Sequence, residues 1–250
     1  MRNVMTEKLK NLRLPGIVEN LDIRVQEARS NQLDYEEFLE ILLDDELIMR
    51  SNKKRKQALK KANFRNLKTL EDFDWQFNSN IDRSIFYNLG TCNFIREGQD
   101  ILLIGPPGTG KTHLAQAVGY EAIKRNFAVI YTSIFDMVRD LQFSEPSKVN
   151  SILSKYLKCD LLIIDDMGLK SLPDKAGEYL FEIILRRFEV KSTMMTSNRP
   201  IEDWGKLIGD IPTTGAILDR LLQHALIIPF KGRSYRLSKT MKNELNIQHN

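Results

Sequence analysis

Eight consecutive residues, GPPGTGKT from Gly105 to Thr112, narrow the choice of fold more than any other feature of this 250-residue chain. They fit the pattern G-x-x-x-x-G-K-[S/T]. Their flanks fit as well, because the apolar run DILLI precedes them and the amphipathic run THLAQAVGYEAIKR follows. A strand that turns through a glycine-rich loop into a helix aims several backbone N–H groups at one spot. Gly105, Gly108 and Gly110 permit that backbone path, and the helix adds the positive end of its dipole. Such a loop holds phosphate. Lys111 is then expected to reach the β and γ phosphates of a nucleotide, and the Thr112 hydroxyl to ligate Mg²⁺. Pro106, Pro107 and Thr109 complete the loop and His113 follows it, so residues 105–113 are the expected ATP contacts.

The rest of the C-terminal part agrees with a parallel sheet. DILLIG, FAVIYTS, CDLLIIDD, STMMTSN and ALIIPF read as five short strands, with amphipathic segments between them near 112–126, 134–143, 149–157, 175–190 and 217–224. Continuous apolar strands that alternate with helices predict an α/β fold, a five-stranded parallel sheet covered on both faces. CDLLIIDDMG places four apolar residues before Asp165 and Asp166, which delivers two carboxylates to the sheet edge where the phosphate loop emerges. Asp165 is the candidate Mg²⁺ residue, directly or through water, and Asp166 the candidate for polarising the attacking water. STMMTSNRP brings Asn198 to the same edge, as a polar group able to hold that water or sense the γ phosphate.

Net charge says little about partners, since 37 Lys+Arg against 33 Asp+Glu give +4, but its distribution is uneven. Seven acids and no base lie between Asp34 and Glu46, and nine bases and no acid between Arg50 and Lys68. A solvated helix normally mixes signs for i,i+4 pairing, so the basic run points to nucleic-acid phosphates. With Phe64 as its single aromatic, backbone contact to duplex DNA fits better than base stacking on a single strand. Lys53, Lys54, Arg55, Lys56, Lys60 and Lys61 are the candidate DNA contacts. Two lesser clusters are Lys8, Lys10 and Arg13, and Lys231, Arg233, Arg236, Lys239 and Lys242.

Residues 1–65 read as a small all-helical N-terminal domain that binds DNA or a partner. Its apolar residues Leu9, Leu12, Ile17, Leu21 and Val25, and then Phe38, Leu39, Leu42, Leu43 and Leu47, recur at helical spacing. Residues 66–98 read as a connector whose Phe73, Trp75 and Phe77 dock the front domain, and 99–250 as the nucleotide domain. Cys92 and Cys159 stand alone and the three histidines are scattered, so no zinc-ligand spacing occurs. A membrane span of about 18 apolar residues is absent and the N-terminus lacks the apolar core of a secretory signal; the expected location is the cytoplasm, with no membrane partner. A guanine reader N/T-K-x-D and an LSGGQ-like signature are both missing, which argues against GTPases and ABC-type ATPases.

GPPGTGKT, LLIIDD and TSN, in this order and spacing, resemble the first nucleotide motif, second nucleotide motif and sensor-1 of AAA+ ATPases. The helical front, the connector KTLEDFDW, the segment AILDRLLQHALIIPFKGRSYR and the lack of a sizeable lid resemble two groups. These are the IstB-type ATPases that assist transposition of insertion sequences, and the related DnaC-type helicase loaders. Front domain and connector favour the IstB type. That resemblance implies an AAA+ P-loop NTPase core in a homo-oligomer. Arg220, in ILDRLL, would be the arginine finger completing a neighbour's site, and Arg236, in SYR, a sensor-2 contact to the nucleotide. It further implies slow, assembly-dependent ATP hydrolysis with Mg²⁺, in a helper that assembles on duplex DNA, deforms it and recruits and stimulates a cognate transposase. A DnaC-like replicative helicase loader is the alternative. Asp166 departs from the pattern, because most AAA+ proteins carry Glu there.

Overall fold

The computed structural model describes residues 2–170, 172–173, 176–208 and 211–238; Lys239 and Lys242 of the C-terminal basic cluster lie outside the described residues. The chain forms two compact units, 1–58 and 59–250.

Three helices account for the first unit: α1 (Arg2–Asn11), α2 (Pro15–Asn31) and the N-terminal part of α3 (Tyr35–Ala62). Pro15 opens α2, where its missing N–H costs nothing. A capping box opens α3: the Glu37 N–H donates to Asp34 Oδ1 at 2.8 Å and the Asp34 N–H to Glu37 Oε2 at 3.1 Å. Ile17, Leu21 and Leu42 form a small core, flanked by Leu9, Leu14, Val25 and Phe38. Gly16 lets α2 approach α3 closely, since a Cβ there would lie 2.6 Å from the Asp45 carbonyl oxygen. At that contact the Gly16 N–H donates to Glu46 Oε2 at 2.7 Å, and Arg24 clamps both Asp45 oxygens at 2.8 Å.

Phe38, Leu39, Leu42, Leu43 and Leu47, expected at helical spacing, all fall in α3. Leu42 faces the core and Phe38 is half-buried, whereas Leu39, Leu43 and Leu47 are exposed and the acids Asp45 and Glu46 are buried in their place.

The second unit opens with the last turn of α3, then α4 (Arg83–Leu89) and α5 (Asn93–Arg96). There follow β1 (Ile101–Ile104), α6 (Lys111–Lys124), β2 (Val129–Ser133), α7 (Ile134–Gln142), α8 (Pro146–Lys158) and β3 (Leu161–Met167). The chain continues through α9 (Ala176–Arg187), β4 (Ser192–Ser197), α10 (Trp204–Ile208), α11 (Ile211–His224) and β5 (Leu226–Pro229). All five expected strands form, pair in parallel and lie in the order β2-β3-β4-β1-β5. One face, carrying Leu102, Ile130, Leu162, Ile164 and Met195, packs under α7 to α11. On the other lies α6, where a Cβ on Gly119 would come within 2.7 Å of Ile163. No helix among the described residues is long and apolar enough to cross a membrane. Both cysteines are buried and free.

A buried arginine fastens the edge opposite the phosphate loop. Arg187, 1% exposed at the end of α9, donates to the carbonyls of Tyr156 at 2.8 Å, Cys159 at 2.9 Å and Ser192 at 2.5 Å, and to Thr193 Oγ1 at 3.1 Å. Burial depresses its pKa, so the cation stays because four acceptors surround it. Arg187→Leu removes these bonds from a buried site and is expected to cost on the order of 3–5 kcal/mol, read as a lower midpoint in urea unfolding. A loss below about 1 kcal/mol would show that the carbonyls find other partners.

Candidate nucleotide site

β1 ends at Ile104, and the Gly105 N–H donates to the Ser197 carbonyl at 3.1 Å, so the loop leaves the sheet beside the end of β4. Gly105, Gly108 and Gly110 all have left-handed φ, and side chains crowd two of them. A Cβ on Gly108 would meet Ser234 Oγ at 2.1 Å and one on Gly110 the Phe73 ring at 2.5 Å. The loop is therefore covered on one side by the segment after β5 and on the other by the segment before β1. Thr109 Oγ1 donates to the Pro106 carbonyl at 2.8 Å, and the Lys111 ammonium to the carbonyls of Gly105 and Pro106 at 2.6 and 2.7 Å. Burial pushes the Lys111 pKa down to about 8, against the opposing pull of Asp165. An ammonium desolvated in this way gains strongly from an anion placed on the loop.

Asp165, 1% exposed, ends the apolar part of β3 and gathers three hydroxyls. Thr112 donates to its Oδ1 at 3.0 Å and Tyr131 to its Oδ2 at 2.5 Å; the Thr196 hydroxyl also donates to Oδ1. Between Ile164 and Met167 the β3–β4 register shifts, and Asp166 takes a φ of +67°. The bulge turns Asp166 out of the ladder, with its N–H donating to Thr196 Oγ1 at 3.2 Å. Burial first, and the neighbouring Asp165 second, raise the Asp166 pKa above the ordinary carboxylate value, which makes it a better proton acceptor.

Lys111, Thr112, Asp165, Asp166 and Asn198 line one cavity of about 850 Å³, with Pro107 to Gly110, His113 and Arg236. That volume lies within the usual range of about 300–1,000 Å³ for small-molecule sites. Gly105 and Pro106 do not line the cavity, and the Pro106 carbonyl accepts from Lys111 and Thr109. His113 donates from Nε2 to the Thr69 carbonyl at 3.0 Å and meets the Phe73 ring edge at 5.3 Å, while burial lowers its pKa. Trp75 stacks against Phe73 at 4.7 Å and Phe77 against Tyr235 at 5.1 Å, so the connector aromatics gather over the phosphate loop. Thr112 and Asp165 offer hard oxygen donors that share an edge. This fits Mg²⁺, which takes one or two protein oxygens and completes its shell with phosphate and water. No larger group of His, Cys, Asp or Glu able to hold a metal exists among the described residues.

Some candidates sit elsewhere. Arg220 does not line the cavity; its guanidinium lies 5.6 Å from the Phe181 ring centroid and donates to the Ala216 carbonyl at 3.0 Å. Lys53, Lys54, Arg55, Lys56, Lys60 and Lys61 are exposed along α3 and do not line the nucleotide cavity. Arg65 and Lys68, counted with that basic run, instead line the cavity, and Arg65 lies 3.9 Å from Asp136. Tyr131 is the residue that sequence patterning missed. Its hydroxyl reaches sideways from VIYTS to β3, and nothing in the local pattern marks it.

A family model described as IstB-like ATP binding protein matches residues 7–243. The chain is similar to a protein named as an ATP-binding protein of insertion sequence IS5376 from Geobacillus stearothermophilus, 34% identical over 245 residues and 98% of each chain. Its counterpart named for IS21 in Pseudomonas aeruginosa is 33% identical over 96% of this chain and 89% of that one. Among solved structures, DnaI aligns with a TM-score of 0.54 at 24% identity over 67% of this chain and 89% of that one. AMPPCP-bound DnaA from Aquifex aeolicus aligns with a TM-score of 0.54 at 26% identity, over 74% and 56%. The strand order and these neighbours establish the AAA+ P-loop NTPase core behind a helical N-terminus.

Asp166 sits in a left-handed backbone conformation that Asp and Asn tolerate; longer side chains, such as Glu189 at a φ of +58°, adopt it at a cost of roughly 1–2 kcal/mol. Asp166→Glu, which restores the commoner AAA+ residue, is expected to lower the melting temperature by about 2–4 °C, and Asp166→Asn to leave it within about 1 °C. Equal melting of the two variants would remove backbone strain as the reason for Asp.

Proposed function

The chain belongs to the IstB-like ATP binding proteins, and we propose that it is an ATP-hydrolysing transposition helper that assembles on duplex DNA, deforms it and recruits and stimulates a transposase. The convergence of Lys111, Thr112, Asp165, Asp166 and Asn198 on one cavity carries the nucleotide half of this reading. The names of the relatives, which place them in insertion sequences, support the other half.

In this reading the loop N–H groups and Lys111 hold the β and γ phosphates, with Arg236 on the same cavity wall as a further nucleotide contact. Thr112 and Asp165 would hold Mg²⁺, which would supply charge neutralisation at the phosphates. Tyr131 and Thr196 fix the Asp165 carboxylate so that its oxygens keep one orientation. Asp166 accepts the proton of the attacking water and Asn198 positions that water. Arg220 lies outside its own chain's cavity, which supports a role at a neighbour's site and makes hydrolysis depend on assembly. The lysines and arginine from Lys53 to Lys61 are exposed, as phosphate contacts must be, and bending DNA costs about 1–6 kcal/mol that assembly offsets.

Lys111→Ala is expected to weaken nucleotide binding by at least about 100-fold in calorimetry, as loss of a charge-assisted contact to phosphate implies. Asp166→Asn should keep ATP affinity and lower turnover by about 10²-fold or more; an undiminished rate would remove Asp166 from proton transfer.

Replacing Lys53, Lys54 and Lys56 together by Ala should reduce the slope of log affinity against log salt for duplex DNA by about 2–3 in the presence of ATP. A strong preference for single strands in the same titration would favour a helicase loader instead.

A further inference from the structure

α3 carries an exposed apolar stripe that nothing in the nucleotide chemistry uses. Tyr35, Leu39, Leu43 and Leu47 are 94%, 55%, 48% and 63% exposed. Their spacing of four residues keeps them in one slowly drifting row along the helix. One residue after each of the first three come Glu36, Glu40 and Asp44, all exposed and without a partner among the described residues. The other acids of the run have work to do: Asp34 and Glu37 cap α3, Asp45 holds Arg24, and Glu46 holds the Gly16 N–H and Arg50. What remains is an apolar row with an acidic rail on one side.

The charge of that rail selects the occupant. Duplex DNA and anionic lipid carry its own sign and are repelled. A second copy of the same stripe would set acid against acid. The basic half of α3 in a second copy supplies the complementary charge, but Ser51 to Gln57 contains no apolar residue to cover four large side chains. The complement is a helix with apolar residues every three or four positions and Lys or Arg beside them. We propose that this face of α3 docks a basic amphipathic helix of a partner protein. The proposal stands independently of the nucleotide site.

The probe is a labelled synthetic helical peptide of about 20 residues, with leucines at heptad core positions and lysines and arginines on the flanks, titrated against the full chain. A charge-inverted peptide with glutamates serves as control. Binding of the basic peptide alone is expected, weakened at least about 10-fold by Leu39→Ser with Leu43→Ser, and similarly by Glu36→Lys with Glu40→Lys. All four side chains are exposed, so circular dichroism and melting should match the parent chain. Lys111→Ala should bind the peptide unchanged, which separates this surface from the nucleotide reading. Equal binding of both peptides overturns the proposal, as does insensitivity to the leucine pair, which would reduce the attraction to charge. Self-association of the chain in sedimentation that disappears with the leucine pair would identify a second copy as the occupant and overturn it too.

Discussion

Asp165 is the point on which the polar part of the nucleotide unit depends. Three hydroxyls from three elements converge on it: Thr112 opens α6, Tyr131 lies in β2, and Thr196 lies in β4. A buried carboxylate needs hydrogen-bond donors to offset its lost hydration. Held by three hydroxyls, it ties the helix after the phosphate loop to both strands that flank β3. The sheet order makes this possible, because β3 lies between β2 and β4 while the loop leaves β1 on the far side of β4. Thr196 also accepts the Asp166 N–H, so the same hydroxyl fixes one carboxylate's orientation and the next residue's backbone.

The parts of the site legible in the sequence are those whose chemistry demands consecutive residues. A phosphate loop needs glycines at set intervals, and a buried strand ending in two acids has an unmistakable hydropathy. Tyr131 and Thr196 escaped notice in their roles because a strand residue that reaches sideways to another strand leaves no local pattern. Arg65 and Lys68 were obscured for a different reason. A linear run of bases conceals the end of α3 at Ala62, after which the chain turns into the nucleotide cavity. On α3, helical spacing identifies the helix but not which of its apolar residues are covered. Packing against α2 settled that, through Gly16 and the paired acids Asp45 and Glu46.

The uneven charge of the N-terminal region thus resolves into separate uses. Acids near the α2 contact are structural, those on the exposed row are free, and the bases divide between an open helix face and the wall of the nucleotide cavity. The chain's net charge of +4 is a sum over groups with different uses, some of them paired, as Glu46 is with Arg50 and Asp45 with Arg24.

The bulge at Asp166 has an evolutionary consequence. A backbone held left-handed admits, without strain, little beyond Gly, Asn and Asp. Of these, Asp alone carries a carboxylate. Glu would keep the carboxylate but set a longer side chain on the left-handed backbone, so the bulge in β3 disfavours drift toward Glu without forbidding it.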